Sequence, residues 1–170
     1  MTVCVYLNHK NKHYLGADSL LVCGDFKSRY SNYSKIVRLD GGFAAWAGNV
    51  DIKRIFQNLK ASKISTEKDV YKFADKIISK IKDRFADDFN FEIILYNGKK
   101  AYLLDRFGEC FEIDKYCAIG SGAPYSLGAL DVLTAYEIDS LTGEEMVENA
   151  LMAAENYDVN VGRPFIVEKV

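Results

Sequence analysis

Close cysteine pairs, histidine clusters and long apolar runs are all missing from this chain, and each absence removes a class of function. The four cysteines, Cys4, Cys23, Cys110 and Cys117, stand apart inside strand-like runs, without the paired spacing or neighbouring histidine that a zinc site needs. They read as reduced, buried thiols. His9 and His13 fall in or beside "NHKNKHY", a stretch that reads as a hairpin loop, where their spacing suits no shared metal. No stretch approaches the roughly 20 apolar residues of a membrane-spanning helix. The start of the chain also lacks the basic-then-apolar order of a secretory signal. A formal net charge of −2 exerts no global pull toward nucleic acid or an anionic membrane. There is no linker, internal repeat or low-complexity segment. A cytoplasmic protein is expected, with no nucleic-acid, membrane or metal partner.

What is present is enough for one substantial core. At 170 residues, 49% hydrophobic, a single domain over 1–170 is the expectation. The first half alternates short extended runs with turn chemistry. "TVCVYL", "HYLGA" and "LLVCG" read as strands, "KSRYSNYS" as a polar loop, and "KIVRL" with "FAAWAG" as a hairpin across the Asp-Gly turn "DGG". A helix is expected from Asn49, its N-cap, with Val50, Ile52, Ile55, Phe56 and Leu59 on one face. A second runs from about Thr66 to Phe85 on a stripe that includes Val70, Phe73, Ile77 and Ile81. "FEIILY", "AYLLD", "CFEID" and "YCAIGSG" return to sheet. Two more helices follow, near Pro124–Tyr136 and Gly143–Tyr157, the latter opened by a Thr142–Glu145 capping box. "RPFIVEKV" closes as a strand. Two antiparallel sheets with a helix pair on each outer face satisfy this order, an α+β four-layer α-β-β-α sandwich. Its facing sheets would let the first strand present its first residue in a cleft.

Thr2 follows the initiator directly and begins that first strand. Once Met1 is removed, Thr2 would carry both a hydroxyl and a free α-amine. An α-amine titrates near about 7.7–8.0, so it is already a partial base at neutral pH. Asp18 ends the strand that the "NHKNK" turn folds back on the first, which returns its carboxylate toward Thr2. Lys35 begins a later strand that can run beside the same edge, where Asp18 would hold its ammonium. Read alone, either is equally an ordinary surface charge. Gly48, at a strand-to-helix junction, could offer a backbone N–H to an oxyanion, or simply end its strand. Ser121, between two glycines just before a helix, could line a polar turn around the amine. The stretch lacks the lysine of a phosphate-binding loop.

"MTVCV", "LGADS", "SKIVRL", "AGNVD" and above all "AIGSGAPYSLGAL" occur in the order and approximate spacing of the threonine peptidases of the proteasome family. The chain resembles most the small bacterial type that works with an ATP-driven unfoldase, HslV, over nearly its whole length. The resemblance implies the N-terminal nucleophile hydrolase fold, with Thr2 as nucleophile and its amine as base. It implies Asp18 and Lys35 as activating pair, Gly48 as oxyanion donor and Ser121 holding the amine. Asp158 in "NYDVNVG" would match a later family aspartate. Where the family often has Asp-x-x-Ser-Gly, this chain has Val161, a departure that bears on Asp158. Trp46, two before Gly48, would point into a substrate pocket or else serve the core. Val22 is assigned to the same pocket. The implied activity is endopeptidase, without metal or organic cofactor, on polypeptide substrates. Homo-oligomeric rings, a double hexamer, and an AAA+ unfoldase partner are implied by the family alone. A catalytically inactive assembly subunit retaining Met1 is the alternative. An amide hydrolase using Cys4 as nucleophile is a more distant one.

Overall fold

The computed structural model describes residues 2–23, 26–29, 33–49, 51–59, 61–85, 90–136 and 140–170. In chain order the strands β1 (Cys4–His9), β2 (Lys12–Asp18), β3 (Leu20–Cys23), β4 (Phe26–Arg29), β5 (Ile36–Leu39) and β6 (Gly42–Gly48) lead into helices α1 (Ile52–Leu59) and α2 (Glu67–Arg84). Strands β7 (Phe91–Tyr96), β8 (Ala101–Leu104), β9 (Cys110–Ile113) and β10 (Tyr116–Ile119) follow, then α3 (Ala123–Ala135), α4 (Gly143–Tyr157) and β11 (Phe165–Lys169).

The strands form a four-stranded sheet ordered β10-β1-β2-β11, a five-stranded sheet ordered β5-β6-β7-β8-β9, and the separate hairpin β3-β4. Each pairing between these strands is antiparallel. β1 explains the layering. Its residues are buried on both faces, and the period of two sends Val3, Val5 and Leu7 to one side and Cys4 and Tyr6 to the other. The first side meets Leu130 of α3 and Met146, Val147, Ala150, Leu151 and Ala154 of α4. The second meets Ala45, Ala47, Ile94 and Tyr96 of the five-stranded sheet. The far face of that sheet, with Trp46, Ile93 and Leu95, is covered by Ile52, Ile55 and Phe56 of α1 and by Val70, Phe73 and Ile77 of α2. Three apolar interfaces thus separate four layers in the expected α-β-β-α order. None of the described helices is long and apolar enough to cross a membrane.

Two expectations shift. The polar stretch after Cys23 is not all loop, because residues 27–29 lie in β4 and pair with β3. Helix α1 begins at Ile52. Asn49 forms a turn ahead of it, its Oδ1 accepting the Asp51 N–H at 3.0 Å. Val50, expected on the α1 stripe, lies outside the described residues. The capping box on α4 is present, and α2 carries another in which Asp69 answers Thr66.

Candidate active site

The β1–β2 register sets Cys4 opposite Ala17, so Asp18 arrives beside the first residues of the chain. Its Oδ1 accepts from Val3 N at 3.0 Å, and its Oδ2 from Leu20 N at 3.1 Å and Gly162 N at 3.4 Å. The Thr2 hydroxyl also donates to Oδ1. Lys35, immediately before β5, reaches across from the other sheet. Its Nζ donates to Asp18 Oδ1 at 2.7 Å, to the Leu20 carbonyl at 2.9 Å, and to Thr2 Oγ1. An ammonium has three protons, and all three are used. Asp18 is 0% exposed and Lys35 4%, so neither is a solvated surface charge. An ammonium donating into a hydroxyl oxygen favours its deprotonated form, and little water is present to screen it.

The Thr2 backbone is held as firmly as its side chain. Its carbonyl accepts from Gly122 N at 3.3 Å and from Ser121 Oγ at 3.5 Å. Gly120, at φ +91°, lies so close that a Cβ there would sit 2.3 Å from the same carbonyl oxygen. The Gly-Ser-Gly turn is therefore a cradle for residue 2. Gly48, at φ +127°, ends β6 in contact with the backbone of Asn90 and Phe91 and opens onto the same cleft.

That cleft, about 770 Å³ in volume, has Thr2, Lys35, Gly48 and Ser121 in its lining. Val22 and Trp46 border it too. The Trp46 ring is 2% exposed and lies against Phe56, with centroids 5.2 Å apart. Trp46 is thus a floor residue anchored in the helix-side core. Asp158 makes no hydrogen bond to Thr2 or Ser121 among the described residues. Its Oδ1 accepts the backbone and side-chain N–H groups of Asn160 at 2.9 and 3.0 Å, and its Oδ2 is buried without a partner there. Val161 joins the apolar core beside Val3. The Cys4 thiol is fully buried and points at the Trp46 carbonyl, 3.2 Å away. Burial pushes that thiol well above its usual range, as in a structural cysteine.

Two ionisable side chains of the cleft lining are not foreseen as site residues from the sequence. Tyr33, two residues before Lys35, lines the cleft under the Lys53 ammonium, 4.2 Å from the ring centroid. Burial first, then the neighbouring Cys4, Asp18 and Asp51, push its phenol up to about 12. Glu92 also lines the cleft. Its signal is one acid in the otherwise apolar strand "FEIILY".

A sandwich of two antiparallel sheets between helix pairs, with the first strand central and its leading residue at the mouth of the inter-sheet cleft, is the fold of the N-terminal nucleophile hydrolases. Within that class the chain belongs to the proteasome family: the family described as "Proteasome subunit" matches residues 2–170. Solved structures agree on the fold. Thiobacillus denitrificans BPH in complex with epoxomicin superposes with a TM-score of 0.86 at 21% identity, over 99% of this chain and 98% of that one. HslV from Trypanosoma brucei gives 0.76 at 18% identity, over 98% and 97%. Anbu from Yersinia bercovieri gives 0.74 at 17%, over 97% and 79%. Comparison with curated proteins finds no match.

Proposed function

We propose that this chain is a threonine-type endopeptidase, of the HslV kind, whose nucleophile is Thr2 after removal of Met1. The observation that carries this reading is the convergence of Lys35 Nζ and Asp18 on the Thr2 hydroxyl at the head of the cleft. Met1 itself lies outside the described residues. Thr2 Oγ attacks a peptide carbonyl and passes its proton to the Thr2 α-amine. The Gly48 N–H stabilises the tetrahedral oxyanion. The amine then protonates the departing peptide nitrogen as the C–N bond breaks, leaving an ester on Thr2. Water, losing a proton to the same amine, releases the acid. Ser121, held on the Thr2 carbonyl, serves the amine; Asp158, which bonds Asn160 and not Thr2 among the described residues, supports the turn ahead of β11. Trp46 and Val22 shape the substrate pocket.

The same reading extends to surroundings. An exposed nucleophile of this kind would cut cytoplasmic proteins indiscriminately, so enclosure in stacked homo-oligomeric rings, a double hexamer fed by an AAA+ unfoldase, is part of the proposal.

The experiment is amino-terminal sequencing of protein from its own host, then reaction with epoxomicin, the compound in complex with BPH. A chain beginning at Thr2 that takes up one equivalent and hydrolyses peptides is expected. Thr2→Ala should keep the fold, take up none, and lose at least about a thousandfold in turnover. A chain that retains Met1 and stays unlabelled overturns the reading and leaves a noncatalytic ring subunit.

A further inference from the structure

Cross-strand pairing sets Glu92 opposite Ala47, the residue before Gly48. Directly opposed residues of an antiparallel pair share a face. Ala47 belongs to the apolar layer between the sheets, so Glu92 projects to that side and into the cleft. Its Oε2 accepts the Gly120 N–H at 2.9 Å, and Gly120 is the residue pressed against the Thr2 carbonyl. The carboxylate is therefore fixed one contact away from the nucleophile. Its other oxygen has no hydrogen bond among the described residues. The ion pairs found there engage Lys35, Arg84, Lys100 and Arg163 with other acids. At the cleft, Lys35 is already saturated by Asp18, Leu20 and Thr2, and Lys53 is engaged over the Tyr33 ring. Leu20, Leu21, Val22 and Tyr33 line the cleft as well and offer no positive charge. A half-buried carboxylate with one oxygen unbonded offers a substrate cation a charge-assisted hydrogen bond.

We propose that Glu92 is a specificity-determining residue, which receives a lysine or arginine side chain of the polypeptide next to the bond that is cut. This deepens the endopeptidase reading and rests on it. Substrates with a cation at that position are selected by charge, while the apolar wall tolerates many neighbours.

The test uses peptide pairs identical except for arginine or its neutral isostere citrulline, placed in turn on each side of the cleaved bond. The native chain is expected to cleave the arginine peptide with a kcat/KM at least tenfold higher at one position. Glu92→Gln, which keeps an oxygen for the Gly120 N–H, should bring that ratio close to one. A ratio near one in the native chain, an unchanged ratio in the variant, or an equal slowing of both peptides overturns the proposal; the last outcome would make Glu92 a support for the Gly120 turn alone. Binding gives a readout independent of turnover. Fluorescence anisotropy of the same peptides on Thr2→Ala protein should show the arginine form at least tenfold tighter, and the preference should vanish on adding Glu92→Gln. Discrimination in binding without hydrolysis by the native chain would sink the peptidase reading and leave Glu92 a cation-binding residue of the cleft. Hydrolysis without discrimination would do the reverse.

Discussion

Lys35 bears the largest electrostatic demand of any side chain in the site. Its ammonium is buried with three acceptors, one of them a carboxylate that itself collects three backbone N–H groups. Removing one member of such a pair leaves the other charged, dry and short of a partner. Lys35→Met is therefore expected to lower folding stability by about 3–5 kcal/mol, beyond its effect on chemistry. Urea unfolding followed by far-UV circular dichroism measures it, and a loss under about 1 kcal/mol would show that water reaches Asp18 in solution. Asp18 and Thr2 are legible together from the sequence, because the short connection inside "NHKNK", only Lys10 and Asn11 between β1 and β2, leaves few registers and returns Ala17 to Cys4. Lys35 is harder to place, since its position depends on which sheet β5 joins. Glu92 is harder still. A single acid in an apolar strand announces a special environment, but only the pairing of β7 with β6 reveals that the environment is the cleft.

At the scale of elements, the turn between β10 and α3 and the start of α4 do different work, and substitution separates them. Gly120 needs both its left-handed backbone and its missing side chain, because a Cβ would meet the Thr2 carbonyl oxygen at 2.3 Å. Gly120→Ala should displace residue 2 and reduce peptide turnover by about a hundredfold, in line with the cost of misplacing a reacting group. Thr142→Ala removes the hydroxyl that accepts Glu145 N at 3.2 Å. It should cost about 1 kcal/mol of stability and leave turnover alone. Steady-state kinetics and thermal melts on both variants check the pair; equal loss of activity in the two would deny the turn its special place. The boundaries of α4 are readable because Thr-x-x-Glu is a local signal. The start of α1 is less so, because Asn49 uses its side chain to build a preceding turn in place of a cap. The β3-β4 hairpin is hidden for another reason: β4 reads "FKSR", whose alternation is too short and too polar to mark a strand.

For the whole molecule, the outer helix layer near α3 and α4 remains conspicuously aromatic. Tyr136 is 76% and Tyr157 73% exposed, and Tyr157 stacks on Tyr125 with centroids 5.5 Å apart. Aromatic groups are enriched where protein surfaces meet. The ring assembly proposed above predicts a native mass of many times 19.2 kDa, with Tyr125→Glu plus Tyr157→Glu shifting it toward smaller species while the far-UV spectrum is kept. Light scattering on a sizing column decides; a native chain running as a monomer would remove the rings. The layer order is the most legible property of the chain, since strands in two blocks, each followed by two helices, leave little other than a four-layer stack. The Thr2, Asp18 and Lys35 cluster straddles that stack. The hydroxyl and the acid ride on one slab and the ammonium on the other, so a sideways slip of the two slabs that broke no ladder would still unseat the charge from the oxygen. On the proposed reading, peptide cleavage is thus a gauge of alignment between the two halves, lost before any strand or helix comes apart.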